Sequence, residues 1–229
     1  MASPWLWNII ADEVHERIEQ EEGVESIGYA DDTVLYIKSQ DLDLAVETMQ
    51  NVALPIAKRW ADEFGLEIAP DKTVAVIYTR KQDKKPDKNG KMRGTYDEPE
   101  PIEFLEQKIE WSDSHKHLGV IMQSKLNYLG HIKSKISKAK SLLIRLKNCM
   151  GKVHGLKPRA ALTMYKWSRA VITHGCLVWH QECDKKSIKK RLRDFQSYGL
   201  RQLGCLRRST PTASLEILTD TTPLLFAAR

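Results

Sequence analysis

Two adjacent aspartates, Asp31 and Asp32, lie between two short stretches rich in β-branched and aromatic residues, 24–30 and 33–37. Such stretches are typical of strands, and a polar pair between them is typical of a tight turn, so the pattern predicts a β-hairpin. Both carboxylates would project from the turn into one cleft. Mg²⁺ prefers carboxylate ligands and in turn binds nucleotide phosphates. The alternative is an ordinary acidic turn, because a four-residue pattern recurs by chance.

The charge of the chain is divided along its length. Residues 1–124 carry 14 Lys and Arg against 25 Asp and Glu, a net charge of −11, whereas residues 125–207 carry 20 against 3, a net charge of +17. The overall balance of +6 conceals this division. An acidic region with carboxylates suited to a metal ion, joined to a basic region, is the layout of a protein that grips a phosphate backbone near a cation.

The hydrophobic pattern changes near the same point. Up to residue 124 it predicts, besides the hairpin, helices over 4–18 and 39–64 and strands over 73–79, 102–105, 108–111 and 116–122. Pro55 is expected to kink the second helix, because proline removes a backbone donor. From residue 128 the pattern predicts helices over 128–150, 158–179, 185–203 and 212–218. We therefore expect an α+β fold, with a first domain over 1–124 and a helical second domain over 125–229.

The sequence favours an intracellular protein without a membrane partner. No stretch approaches the length of a membrane span, and the N-terminus lacks the basic and then apolar order of a signal peptide. The four cysteines include no Cys-x-x-Cys pair, so reduced thiols are expected. His174, Cys176, His180 and Cys183 do not have a recognised zinc spacing, and packing is their favoured role.

Four ordered stretches resemble motifs of reverse transcriptases, in the form used by non-LTR retrotransposons. Gly-Tyr-Ala-Asp-Asp at 28–32 is similar to the Tyr-x-Asp-Asp box of the palm. The other three resemble the tail of the preceding motif, the next palm motif and the primer grip, at 3–13, 65–73 and 116–120 respectively. Residues 209–216 resemble the segment that in some of these elements leads from the thumb towards a ribonuclease H domain.

This resemblance implies a fold and an activity. Residues 1–124 would be a partial palm, an antiparallel sheet with helices, and residues 125–229 an all-helical thumb with the start of a connection segment. The full-length enzyme would be an RNA-directed DNA polymerase that extends a DNA primer on an RNA template with deoxynucleotides and Mg²⁺, or Mn²⁺. Upstream polymerase and endonuclease domains and a downstream ribonuclease H domain would complete it, and the nucleus would be its compartment.

The resemblance also assigns roles to residues near the reaction. Asp31 would be the principal metal ligand and Asp32 its support, so both would be catalytic. Tyr29 and Ala30 would lie beside the primer end. Lys72 would lie near the departing pyrophosphate, where a cation stabilises charge or donates a proton. The alternative for Lys72 is an ordinary solvated lysine.

Two further regions are candidate nucleic-acid contacts. By resemblance, the primer grip would place backbone amides and a cation near primer phosphates, with contributions from Lys116, His117, Leu118 and Gly119; its alternative is an ordinary strand. Independently, three lysines recur every seven residues on a predicted helix with few acids around them: Lys133, Lys140 and Lys147. Charged faces of helices usually mix signs, so this stripe favours binding to a phosphate backbone.

One expected part of the active site has no match in the chain. In this family the first palm carboxylate precedes the stretch matched at 3–13, and the Gln-Gly that opens that motif is also absent. We therefore expect this chain alone to be inactive. A degenerate, non-catalytic nucleic-acid-binding protein is the alternative function. A metal-dependent phosphohydrolase is a third, but it lacks a visible cluster to prepare a water nucleophile.

Overall fold

A computed structural model describes residues 4–79, 83–86, 92–95, 99–149, 158–204, 207 and 209–228. The chain forms two compact units, the first over 1–77 with 81–112 and the second over 78–80 with 113–229. The two units meet in sequence near residue 112, so the chain around the primer-grip motif packs within the second unit. Among the described residues, no helix combines the length and apolarity needed to cross a bilayer.

The first unit combines helices with short antiparallel hairpins. Its helices are α1 (Pro4–Glu19), α2 (Leu42–Thr48), a π-helical turn (Met49–Ala53), α3 (Leu54–Glu63) and a 3₁₀ turn (Pro70–Lys72). Its strands are β1 (Val24–Tyr29), β2 (Asp32–Ile37), β3 (Asp83–Pro86), β4 (Met92–Thr95), β5 (Ile102–Phe104) and β6 (Gln107–Ile109). Consecutive strands pair antiparallel as β1–β2, β3–β4 and β5–β6. The predicted helix at 4–18 and the predicted hairpin at 24–37 are confirmed. The strands predicted at 102–105 and 108–111 are also confirmed, and they pair as a second hairpin.

Helix α1 packs on the β1–β2 hairpin and on α3. Its buried residues Val14 and Ile18 share a core with Val24 of β1 and Trp60 of α3. The Trp60 indole Nε1 donates a hydrogen bond of 3.0 Å to the carbonyl oxygen of Ile10. This packing removes apolar surface from water and fixes α1 beside the hairpin that carries the aspartates.

The kink predicted at Pro55 takes the form of the π-helical turn. The N–H of Leu54 bonds to the carbonyl oxygen of Met49, one residue further back than in an α-helix. Pro55 has no N–H to continue the ladder, so widening the preceding turn accommodates it. The helix therefore continues through the interruption into α3.

The prediction of a strand at 73–79 was wrong, whereas the antiparallel pairing expected of this unit is present in small separate sheets. Only an isolated parallel bridge between Ala75 and Trp111 is present at 73–79. The N–H of Ser112 also bonds to the carbonyl oxygen of Ala75 at 2.9 Å. Within 80–101 the structure describes the β3–β4 pair, whereas 80–82, 87–91 and 96–98 lie outside the described residues.

The second unit is a helical bundle with one preceding hairpin in its described part. Its strands are β7 (Ser114–His117) and β8 (Val120–Gln123). Its helices are α4 (Leu129–Cys149), α5 (Pro158–Thr173), α6 (Cys176–Trp179), a 3₁₀ turn (His180–Asp184), α7 (Lys186–Gly204), α8 (Thr212–Leu218) and α9 (Leu224–Ala227). Residues 150–157 lie outside the description. The predicted helices over 128–150, 185–203 and 212–218 are confirmed to within a residue or two.

Two predicted elements of this unit are divided by residues with positive φ. The expected strand over 116–122 turns back at Leu118 and Gly119, whose φ values are 46° and 81°. The expected helix over 158–179 ends before Gly175, whose φ of 66° separates α5 from α6. Glycine tolerates this conformation because it has no Cβ. Both predictions of an uninterrupted element were wrong.

Gln196 ties the C-terminal helices to α7. Its side-chain oxygen accepts hydrogen bonds from the Tyr165 hydroxyl at 3.1 Å and the Leu224 N–H at 3.0 Å. Its amide nitrogen donates to Glu216 Oε1 at 2.8 Å. Because buried polar groups need such partners, this network fixes α8 and α9 on the bundle. The segment at 209–216 is therefore packed into the second unit.

Candidate active site and nucleic-acid interface

The aspartates lie at the tip of the β1–β2 hairpin. Tyr29 pairs with Asp32, so Ala30 and Asp31 form a two-residue turn. Ala30 has a φ of 54°, a conformation that costs a residue with a Cβ about 1 kcal/mol. Strain of this kind is kept only where surrounding contacts hold it, and it is frequent at functional sites.

Helix α1 supplies the contacts that hold this turn. The Trp7 indole Nε1 donates a hydrogen bond of 2.5 Å to the carbonyl oxygen of Ala30. His15 lies against the hairpin, with its Nδ1 2.7 Å from Ser26 Oγ. A Cβ on Gly28 would overlap His15 Nε2, so a larger residue at this position requires the His15 side chain to shift. Sequence reasoning missed both α1 side chains; the signal for Trp7 was its place in the motif at 3–13.

The side chains of Tyr29, Asp31 and Asp32 are exposed. Within the described part of the chain, no group of three or more His, Cys, Asp or Glu side chains is arranged to hold a metal ion. Two neighbouring carboxylates without a third protein ligand leave Mg²⁺ largely hydrated, and phosphate oxygens would have to supply further contacts. The donor set therefore fits a hard cation shared with a bound phosphate.

Lys72 is the last residue of the 3₁₀ turn at Pro70–Lys72 and its side chain is exposed. The following Thr73 closes the turn, because its hydroxyl donates to the carbonyl oxygen of Ala69 at 3.0 Å. Among the described residues, no hydrogen bond or ion pair joins Lys72 to Asp31 or Asp32. Its role near a departing pyrophosphate stays a prediction.

The primer-grip motif forms the tip of the β7–β8 hairpin. His117 pairs with Val120, so Leu118 and Gly119 are the two turn residues. Lys116 and Leu118 are exposed and His117 is half-buried. A Cβ on Gly119 would lie 3.1 Å from His174 Cε1, so the side chain following α5 closely supports the tip.

A buried histidine anchors the same hairpin from α4. His131 Nδ1 accepts a hydrogen bond of 3.0 Å from the N–H of Ile121, while its Nε2 has no partner among the described residues. Burial, with smaller contributions from Lys135 and His174, lowers the pKa of His131 to about 4. The neutral ring therefore carries its proton on Nε2. Sequence reasoning missed His131, since a histidine in an apolar helical stripe gives no signal of its partner.

Cations gather beside this hairpin. Lys135 Nζ lies 3.5 Å from His174 Nδ1. Burial, followed by the nearby charges of Lys138 and Lys116, lowers the pKa of Lys135. Like charges brought this close leave a positive potential that an anion would relieve.

The predicted lysine stripe lies on α4. Lys133 and Lys140 are exposed and border a hollow that also includes Arg191 of α7. Lys147 is also on α4, but its side chain lies outside the described residues. Of the cysteines considered for zinc, Cys183 is fully buried in the core of the second unit.

Comparisons with known proteins give the family. The model of the reverse transcriptase (RNA-dependent DNA polymerase) family matches residues 1–133, more than half of the 229 residues. A 115 kDa protein assigned to the type-1 retrotransposable element R1DM of Drosophila melanogaster is 23% identical over 232 residues, covering 100% of this chain. The retrovirus-related Pol polyprotein from the type-1 retrotransposable element R1 of Nasonia vitripennis is 22% identical over 225 residues, covering 95% of this chain.

The chain spans only 21% of the length of the Drosophila relative and 62% of the length of the Nasonia relative. No solved structure matches it. The family match covers α1, the aspartate turn and the primer-grip hairpin, and both relatives are proteins of R1 retrotransposable elements. The chain therefore belongs to the reverse transcriptase family and corresponds to part of a non-LTR retrotransposon reverse transcriptase.

Proposed function

We propose that this chain is the part of an RNA-directed DNA polymerase that carries the Asp31–Asp32 turn, the primer grip and the thumb. One observation carries the proposal: the two exposed carboxylates lie on a strained turn held by Trp7, inside the region that the family match covers. A two-residue hairpin turn commonly has a positive φ at its first residue and prefers Gly, Asn or Asp there. An alanine in that position, with an indole bound to its carbonyl, is what distinguishes this turn from an ordinary acidic one. On this proposal residues 1–124 are palm and residues 125–229 are thumb and connection.

Asp31 and Asp32 would hold the divalent cation, Mg²⁺ or Mn²⁺. When bound, two such cations stabilise the attacking and leaving oxygens of nucleotidyl transfer. The side chains of the turn give the cation hard oxygen ligands, while the Trp7 bond keeps the Ala30 carbonyl and its neighbours in place. Tyr29 and Ala30 would then lie beside the primer end, and Lys72 near the leaving pyrophosphate.

The second unit would hold the primer and the template. Lys116, His117, Leu118 and Gly119 form a tight hairpin tip, where a cation and turn amides suit a primer phosphate. His131 accepts a hydrogen bond from β8 and His174 packs against Gly119, so both side chains support the hairpin. The basic face of α4 would bind the backbone of the RNA–DNA hybrid without reading its bases. Deoxynucleotides would be the substrate of the whole polymerase.

A non-catalytic nucleic-acid-binding protein is the second candidate. It is favoured by the absence, in the described part of the chain, of a third acidic side chain grouped with Asp31 and Asp32. Asp12 and Glu13 lie on α1, and the Glu13 carboxylate is bound by Arg17 at 2.5 Å. Both candidates predict nucleic-acid binding, so metal chemistry distinguishes them.

Primer extension tests the catalytic proposal. The purified 229-residue chain is given an RNA template, a DNA primer, deoxynucleotides and Mg²⁺. We expect no extension by this chain alone, because two-metal catalysis needs carboxylates on both sides of the ions. A longer polymerase that contains this chain together with a preceding palm carboxylate should extend the primer, and Asp31→Asn should abolish that extension.

One outcome would contradict the expected inactivity of this chain, and another would contradict the proposed metal site. Extension by the 229-residue chain that disappears in Asp31→Asn would show that its active site is already complete. A longer polymerase that extends equally well with Asp31→Asn would show that the turn does not bind the catalytic metal. Asp41→Asn serves as the matched control, because Asp41 is an exposed carboxylate of the same unit that caps α2.

A further inference from the structure

A concave cationic site lies between α4 and α7. Lys133 and Lys140 of α4 and Arg191 of α7 border one hollow of about 220 Å³. Ser137 and the buried Ile136 complete its lining. The two helices come from distant parts of the sequence, so only the folded bundle brings these three cations around one space.

The placement follows from the apolar stripes of the two helices. On α4, each of the three polar lining residues directly follows a buried residue, in the pairs Ile132–Lys133, Ile136–Ser137 and Ala139–Lys140. On α7, Arg191 directly precedes the buried Leu192. Side chains one position from a buried stripe lie at the edge of the helix contact. The packing of α4 on α7 therefore fixes the backbone positions from which these side chains surround the hollow.

Negative charge does not balance the three cations around the hollow. Helix α4 contains no Asp or Glu. In the described part of the chain, Lys133, Lys140 and Arg191 form no ion pair, and Asp194 on the same helix as Arg191 is not bound to it. The carboxylate of Asp184, in the 3₁₀ turn before α7, lies 3.7 Å from Lys189 Nζ. Three uncompensated cations around one concave space favour an anion there.

We propose that this hollow binds a single phosphate group of a nucleic-acid backbone. The inference rests on the proposed function, because it names a contact of the bound RNA–DNA hybrid. The planar guanidinium of Arg191 suits two oxygens of one phosphate, whereas the lysines act as point charges and the Ser137 hydroxyl is a further donor. A contact to a phosphate carries no direct sequence information, so we expect this contact to be independent of sequence.

The number of phosphates distinguishes this site from a diffuse basic surface. Each phosphate that a protein neutralises on a duplex contributes about 0.9 to the slope of log K against log salt. Replacing all three cations with glutamine should lower that slope by about 0.9, because they share one phosphate. Three cations on three separate phosphates would lower it by about three times as much.

The geometry of Arg191 gives a second, charge-neutral test. Arg191→Lys keeps the positive charge but loses the planar guanidinium that can donate two hydrogen bonds to one phosphate. We therefore expect RNA–DNA hybrid binding to weaken about fivefold. Arg159→Lys is the matched control, because Arg159 is an exposed arginine of α5 that does not line the hollow. It should bind as the unaltered chain does. Hydrogen exchange of α4 and α7 verifies that each variant is folded.

The decisive experiment is a salt titration of hybrid binding by the full chain and these variants, with inorganic phosphate as a separate probe. Equal hybrid binding by Arg191→Lys and Arg159→Lys would overturn the proposed phosphate site. So would a change in the salt slope about three times larger than expected when all three cations are replaced with glutamine. Neither result would contradict nucleic-acid binding by the chain. Phosphate binding that depends on Arg191, without any effect on the hybrid, would show a free-anion site and overturn the backbone contact. Failure of the unaltered chain to bind the hybrid would overturn the proposed function itself.

Discussion

Acidification is expected to destabilise the second unit through His131. Its imidazole is fully buried, and its Nδ1 accepts the N–H of Ile121. Burial first, and then the nearby Lys135 and His174, lower its pKa from 6.5 to about 4. Protonation would remove the acceptor for Ile121 and place a charge in the core beside Trp179, whose ring centroid lies 6.4 Å away.

The size of the effect follows from the two pKa values. Because the pKa is lower in the folded state, the unfolded state binds more protons, so stability falls as the pH falls. The stabilisation is fully present above about pH 6.5 and is lost progressively down to about pH 4. Between about pH 7.5 and about pH 5, proton linkage predicts a loss of about 2 kcal/mol from this side chain.

Hydrogen exchange of α4 amides at the two pH values measures this loss, because it reports the opening of one unit of a two-unit chain. His131→Asn is the informative variant, since asparagine keeps an acceptor near the position of Nδ1 but does not titrate. It should lose about 2 kcal/mol less than the unaltered chain on acidification. His115→Asn, which removes a partly exposed ring from the same unit, should keep the full loss. Equal losses for all three proteins would refute the argument.

Three substitutions test the packing that positions the candidate sites. Ala30→Gly should stabilise the first unit by about 1 kcal/mol in urea unfolding, since glycine has no Cβ to oppose the positive φ; an unchanged midpoint would contradict the strain. Gly28→Ala should destabilise it by about 1 kcal/mol, because the added Cβ would overlap the His15 ring and force that side chain to shift, and unchanged stability would contradict close packing of the ring on the hairpin. Gln196→Leu should cost the second unit about 3 kcal/mol by leaving buried partners unpaired, and protection of α8 and α9 unaltered in hydrogen exchange would count against the network.

Sequence periodicity predicted elements whose partners are local. The hairpin around Asp31 and the hairpin over 102–111 have their pairing strands next to each other, so composition and turn residues were sufficient. Residues 73–79 have equally strand-like composition, yet a strand exists only where another strand pairs with it. Apart from the bridge at Ala75, that partner is lacking in the described chain.

The misjudged and missed features depend on tertiary contacts. Apolar periodicity continues across Gly175, so it could not show that a positive φ divides the helix there. Gly119 was part of a recognised motif, but the motif did not show that this residue lies at a turn and packs closely against His174. The hydrogen bond of His131 to Ile121 and the proximity of Arg191 to Lys133 also arise only after the bundle packs.

Metal binding at the Asp31–Asp32 turn tests the central claim most directly. Mn²⁺ is titrated into the isotope-labelled chain, and paramagnetic broadening of its amide signals is recorded with and without a bound RNA–DNA primer–template. We predict weak binding that broadens the amides around Asp31 and Asp32, tightens when phosphate oxygens of the hybrid are present, and disappears in the double variant Asp31→Asn/Asp32→Asn. Tight binding that persists in the double variant, or broadening centred elsewhere in the chain, would contradict the account.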